Sequence, residues 1–165
     1  MNSPRQPLTA IQAMNRAAAL CARGEQAPAD IRSKLIKWGL SASDASRVMD
    51  KLTEQGFVDD ERFATAFIKD RFKFNGWGRI KIAYQLKLKG IPAPVIEQAM
   101  AAAIDDDEYI GRLTELLRAK WRSLNQREPR AAWAAMMRFA ASRGFETAIA
   151  SQCVKRVTAL DDQDD

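Results

Sequence analysis

Apolar residues along this chain recur at three- and four-residue intervals, the period of a helix with one buried face, and no stretch alternates as a half-buried strand does. From Thr9 to Arg23, Ile11, Met14, Ala18 and Cys21 keep that spacing and Gly24 follows as a stop. A short second helix is predicted from Asp30 to Trp38, with Pro28 near its first turn and Gly39 at its end. Ser41-Ala42-Ser43-Asp44 then has the form of a capping box, and Ala45, Val48, Met49 and Leu52 fall at i, i+3, i+4 and i+7 of one face. Gly56 closes that helix. Asp59-Asp60-Glu61 opens the next, placing acids at the positive end of the helix dipole, and Phe63, Phe67 and Ile68 give it an apolar side.

The loop Phe74-Asn75-Gly76-Trp77-Gly78 breaks this fourth helix, and Arg79 to Lys89 predicts a fifth. Projected at about 100° per residue, Ile82, Ala83, Leu86 and Gly90 form one apolar strip and Ile80, Tyr84 and Leu88 a second. Lys81, Gln85 and Lys89 share the side between them. The expectation is a helix packed on both apolar strips, with its basic stripe in water. Pro92 and Pro94 open a sixth helix pointing Ile96, Ala99, Met100 and Ala103 inward. Asp105-Asp106-Asp107-Glu108 begins a seventh, with Tyr109, Leu113, Leu116 and Leu117 apolar; consecutive acids there read as dipole partners rather than metal ligands. Pro129 starts an eighth carrying Trp133, Met136, Met137 and Phe139, and Glu146 to Ala159 makes a ninth with Ile149, Cys153 and Val157. The last residues, Asp161-Asp162-Gln163-Asp164-Asp165, read as a disordered acidic tail.

One pattern recurs three times. Leu35-x-x-x-Gly39-Leu40, Leu86-x-x-x-Gly90-Ile91 and Ala140-x-x-x-Gly144-Phe145 each stop a helix at a glycine and follow it with a large apolar residue, at offsets of 51 and 54 residues. Val48-Met49, Ala99-Met100 and Cys153-Val154 keep the same register, nine and ten positions beyond their glycine. Three divergent copies of one module explain this joint register. The predicted architecture is all-α: three tandem three-helix repeats forming an elongated, curved helical array, with limits 1–56, 57–104 and 105–160 and the tail 161–165.

Composition narrows the chemistry. With no histidine and no CxxC, a zinc site or a histidine-based triad lies outside the inventory. Cys21 and Cys153 lie among alanines and aliphatics, where a free thiol behaves as a small buried hydrophobe. The opening MNSPRQPLTA holds no apolar run of signal-peptide length, and nowhere do eighteen apolar residues run together, which predicts a cytosolic protein. No heptad seam predicts a coiled-coil dimer, so a monomer is expected.

Charge is concentrated in one place. Between Phe67 and Ile91 stand Lys69, Arg71, Lys73, Arg79, Lys81, Lys87 and Lys89 against the single acid Asp70, more than the whole chain's net +5. A basic face of this kind steers a polyanion or an acidic protein surface, and these seven residues are the candidate binding residues. Phe72, Phe74 and Trp77 are interleaved with them, as in modules that stack bases while lysines neutralise phosphates. Against stacking, Phe72 lies four residues after Ile68, and Trp77 holds the position of a hydrophobic staple before a helix. A metal-dependent nuclease built on Asp59, Asp60 and Glu61 is the enzymatic alternative, but an N-cap followed by acids accounts for those residues without chemistry.

Two segments carry a resemblance. Leu52-Thr53-Glu54-Gln55-Gly56-Phe57-Val58-Asp59-Asp60-Glu61-Arg62-Phe63-Ala64 resembles the L-x-x-x-G-aromatic-aliphatic-D-D-x-R-F/Y-A segment of the RecX family, the regulators of bacterial RecA recombinase. Gly78-Arg79-Ile80-Lys81-Ile82 through Leu86-Lys87-Leu88-Lys89-Gly90-Ile91 is similar to that family's second signature. The likeness covers about Ala27 to Met100, and Arg143-Gly144-Phe145 more loosely. The chain departs from the family pattern at Ala27 and Asp30-Ile31, where Ser and Glu-Leu are common, and at Gln85, where Glu is frequent. The resemblance implies a cytoplasmic, non-enzymatic, cofactor-free protein that binds the RecA filament and its single- or double-stranded DNA and restrains recombinase, ATPase and coprotease activity. A stand-alone helix-turn-helix-like DNA-binding module is the alternative.

Overall fold

The computed structural model describes residues 6–124 and 128–161; of the acidic tail expected at 161–165, Asp161 is instead the last residue of a helix, and the part from Asp162 onward lies outside the described residues. Those residues form α-helices and connecting turns with no strand: α1 Ala10–Arg23, α2 Pro28–Lys37, α3 Ala42–Glu54, α4 Asp60–Lys73, α5 Arg79–Leu88, α6 Ala93–Ala103, α7 Asp106–Ser123, α8 Pro129–Ser142 and α9 Thr147–Asp161. The chain divides into two compact units, Met1–Ala66 with Leu86–Glu97, and Phe67–Gln85 with Gln98–Asp165. The divisions fall within α4, α5 and α6.

Polar residues at the helix starts fix where each helix begins. Thr9 Oγ1 accepts from Gln12 N at 3.2 Å while Gln12 Oε1 accepts from Thr9 N at 3.1 Å, a complete capping box. Ser41 Oγ accepts from Asp44 N at 3.1 Å, and Asp59 Oδ1 accepts from Arg62 N at 2.8 Å. Asp105 takes the amides of Asp107 and Glu108. Asp59 is therefore an N-cap, with Asp60 and Glu61 in the first turn behind it. α2 starts two residues earlier than its pattern predicts, because Pro28 itself enters the helix after Ala27.

The three-fold pattern is a single geometry. Leu40 N donates to Leu35 O (3.1 Å), Ile91 N to Leu86 O (3.1 Å) and Phe145 N to Ala140 O (3.0 Å), while Gly39, Gly90 and Gly144 donate to Ile36, Lys87 and Ala141 at 3.0–3.1 Å. These paired bonds are the Schellman ending of a helix. It turns the chain through a left-handed residue, and the three glycines have φ of 105°, 82° and 89°. The apolar residue after each glycine and the one four before it are all buried.

In the first unit, α1, α2 and α3 pack together over Ala13, Ala17, Ile31, Leu35, Leu40, Ala45, Val48, Leu52 and Val58. Cys21 is only half-buried beside this core, not fully buried as its alanine-rich surroundings suggest, because its helix turns that position toward Glu25 and Arg62. Burial still raises its thiol pKa. The amide of Ala29, at the start of α2, donates to Lys89 O at 3.3 Å just past α5, and Leu8 N donates to Trp38 O at 2.9 Å just past α2.

In the second unit, α7, α8 and α9 pack on one another. Tyr109, Leu113, Leu117, Met136, Ala140, Phe145, Cys153 and Val154 are buried there. The Tyr109 ring lies 5.1 Å from Phe145 and 5.9 Å from Phe72, centroid to centroid. The same junction of helix ends recurs: Gly78 N donates to Arg143 O at 2.7 Å and Ile80 N to Gly144 O at 3.0 Å. The free amides that begin α5 thereby satisfy the free carbonyls that end α8.

Candidate functional site

The basic segment begins on the last turns of α4. Lys69 and Lys73, one turn apart, are both exposed. Arg71 is drawn inward instead, its guanidinium carbon 4.9 Å from the Phe67 ring and 5.3 Å from the Trp77 ring. On α5, Lys81 Nζ lies 4.6 Å from the Trp77 centroid. Trp77 is thus a half-buried indole with two cations against its ring, edge-on to Phe67 at 6.4 Å, with its amide donating to Arg71 O at 3.1 Å. This clamp fixes the loop between α4 and α5.

Arg79 has a structural task. Its guanidinium donates to Asp106 Oδ1 at 2.7 Å, lies 3.7 Å from Glu146 Oε2 and sits 4.0 Å over the Tyr109 ring. Its own amide donates to the Tyr109 hydroxyl at 3.0 Å, and that hydroxyl donates to Glu146 Oε1 at 2.6 Å. Burial first, and then the hydrogen bond to Glu146, hold the Tyr109 phenol far above the usual tyrosine range. In the first unit, Lys89 Nζ donates to Asp30 Oδ2 at 3.0 Å, while Lys87 is exposed.

The seven sequence-predicted residues therefore fall into two groups. Arg71, Arg79 and Lys89 are engaged by rings or carboxylates of their own unit. Lys69, Lys73, Lys81 and Lys87 form no ion pair with any described residue.

The faces of α5 are exchanged relative to the expectation from its pattern. Ile80, Tyr84 and Leu88, read as a second packed strip, are 56%, 60% and 60% exposed. Lys81, Gln85 and Lys89, read as the stripe in water, are half-buried. The reason lies in the backbones beside them: Lys81 meets Gly144 so closely that no side chain fits on that glycine, and Lys89 meets Ala29 and Asp30.

The aromatic residues separate as well. Phe72 is buried on Tyr109, whereas Phe74 is 74% exposed with Lys73 Nζ 5.8 Å from its ring. Position in the helix could have signalled this, since Phe74 falls one residue past the end of α4. Asp60, in the acidic run at the start of that helix, has its pKa raised by burial and then by Asp59. Among the described residues no cluster of three or more Cys, Asp or Glu is placed to hold a metal ion.

Three-helix groups in tandem, each closing its middle helix at a glycine, define this chain as an all-α helical-repeat protein. Residues 59–100 match the model of the second three-helix domain of RecX, and residues 106–154 match that of the third. The chain belongs to the RecX family. It is 31% identical over 145 residues to the regulatory protein RecX of Mycobacterium marinum, a match covering 84% of this chain and 83% of the relative. The regulatory protein RecX of Clostridium tetani is 32% identical over 117 residues, or 70% of this chain, and that of Mycolicibacterium smegmatis is 35% identical over 94 residues, or 57%. The chain spans about half the length of these last two relatives, 53% and 50%. A crystal structure of RecX from Lactobacillus salivarius has the same fold, with a TM-score of 0.83 at 15% identity over 91% of this chain and 97% of that one. Another, of regulatory protein RecX, gives 0.80 at 17% identity over 87% and 72%. Among the described residues no helix is long and apolar enough to cross a membrane.

Proposed function

We propose that this chain is a non-catalytic regulator of a RecA-type recombinase, which binds the recombinase–DNA filament and restrains its recombinase, ATPase and coprotease activities during DNA repair and the SOS response. Its relatives are named regulatory proteins, and the observation that carries the reading is the set Lys69, Lys73, Lys81 and Lys87, cations without acidic partners among the described residues. Unpaired cations on one segment attract acidic protein surface and phosphate alike. The other candidate residues, Arg71, Arg79 and Lys89, are each engaged by rings or carboxylates of their own unit. The reading includes a cytoplasmic monomer, repeats bounded at 1–56, 57–104 and 105–160, and contact with single- or double-stranded DNA inside the filament.

The test is single-stranded-DNA-dependent ATP hydrolysis by the cognate recombinase, with this protein titrated in from well below the recombinase concentration. Inhibition at substoichiometric amounts supports a filament regulator acting on growth or disassembly. No effect at equimolar amounts, with DNA binding intact, moves the reading to a stand-alone DNA-binding module. A specific observation favours that second reading: Phe74 is exposed beside Lys73, an arrangement suited to stacking on an unpaired base.

A further inference from the structure

Ile80, Tyr84 and Leu88 follow one another at four-residue intervals on α5, which places them in a row along one side of the helix, and more than half of each side chain meets solvent. Single exposed apolar residues are ordinary, but a contiguous row rimmed by charge marks a binding surface. By helical projection Lys87 stands on one flank of the row and Lys81 on the other, and neither has an acidic partner among the described residues. No Asp or Glu occurs anywhere from Arg71 to Ile96. The row is apolar and both its rims are cationic.

We infer that this face of α5 docks a protein surface of the complementary make-up, an aliphatic strip flanked by aspartates and glutamates such as one side of an acidic amphipathic helix. The inference rests on the proposed function and deepens it: the surface belongs to the recombinase subunits of the filament and not to its DNA. Two features select protein over nucleic acid. Ile80 and Leu88 have no ring to stack on a base, and their burial is rewarded only by apolar contact. Arg79, the arginine of this helix, is turned away into the acids of Asp106 and Glu146. Cations on both rims then set the orientation of the partner and reject a basic one.

The experiment uses the full chain and the double variant Ile80→Ala/Tyr84→Ala, which keeps the helix-forming character of α5 and alters only exposed side chains. Affinity is measured for three probes: recombinase filaments assembled on single-stranded DNA, the recombinase without DNA, and the single-stranded DNA alone. The expected result is a loss of about tenfold or more on both recombinase probes, unchanged affinity for DNA alone, and an unchanged circular dichroism spectrum. A parallel loss on DNA alone makes the face a nucleic-acid surface and overturns the inference. Unchanged recombinase binding by the variant, where the wild type binds, overturns the inference and leaves the proposed function standing. Failure of the wild type to bind either recombinase probe removes both.

Discussion

The Tyr109 hydroxyl donates to Glu146 Oε1 at 2.6 Å, a bond that ties the first turn of α7 to the residue preceding α9. Because the same oxygen accepts the Arg79 amide at 3.0 Å, it also fastens the start of α5 within the second unit. Replacing Tyr109 by Phe strands both partners and should cost about 1–3 kcal/mol in urea unfolding. A pH dependence accompanies it. The folded-state pKa of Tyr109 is raised, so its stabilisation is complete below the unfolded value of about 10 and is lost as pH climbs beyond it. Wild type should therefore lose stability above about pH 10 more steeply than Tyr109→Phe. The chain has two tyrosines, so in a Tyr84→Phe variant the phenolate absorbance reports Tyr109 alone. It should rise with unfolding and not before.

Gly144 and Gly56 separate two costs of a side chain. Both have left-handed φ, 89° and 76°. A Cβ on Gly56 meets nothing within 4 Å, whereas one on Gly144 runs into the backbone N and Cα of Lys81 at 2.5 and 2.9 Å. Gly56→Ala should cost about 1–2 kcal/mol, the conformational term alone. Gly144→Ala should exceed it clearly in thermal melts, because rigid backbone must move.

Phe72 and Phe74, two positions apart, should respond oppositely to truncation. Phe72→Ala empties a buried site against Tyr109 and is expected to cost about 3–5 kcal/mol. Phe74→Ala removes a ring that is already in solvent, and stability should stay within about 0.5 kcal/mol. Any loss of ligand affinity in Phe74→Ala is then a binding effect.

Neutralising the unpaired lysines should leave folding alone and weaken the partner complex. Lys69→Gln, Lys73→Gln and Lys87→Gln are expected to melt like wild type, since surface ions without partners contribute little to stability. Where a lysine meets DNA phosphate in the filament, its loss should flatten the slope of log affinity against log salt by about one unit. Arg79→Gln should instead lower the melting temperature, because Asp106, Glu146 and the Tyr109 ring lose their shared cation.

Helix boundaries and the tandem pattern were legible in the sequence because both rest on local chemistry. Ser41 and Asp59 cap the helices they precede as their patterns predict, Thr9 and Asp105 stand as caps one residue outside helices that the pattern begins at them, and the glycine at 39, 90 and 144 is required by a backbone that turns left-handed. The orientation of α5 was not legible. Its two apolar strips, headed by Ile82 and Ile80, are near equals in composition. The choice between them is made by Gly144 and Ala29, residues distant in sequence whose backbones press against the lysine side. For the same reason a count of positive charges did not distinguish Arg79, enclosed by acids contributed more than twenty residues away, from Lys69 and Lys73 on open helix surface.

The bonds from Gly78 and Ile80 to the end of α8, and from Ala29 to the end of α5, use main-chain atoms alone. A fastening made this way is blind to side-chain identity beyond the need for room where the glycine stands. Substitutions can accumulate on either side without loosening it. Solved RecX structures with only 15% and 17% of their residues in common with this chain nevertheless superimpose on it with TM-scores of 0.83 and 0.80. The side-chain ties beside these main-chain bonds, Arg79 to Asp106 and Glu146 and Lys89 to Asp30, are the ones that a change of residue type can break.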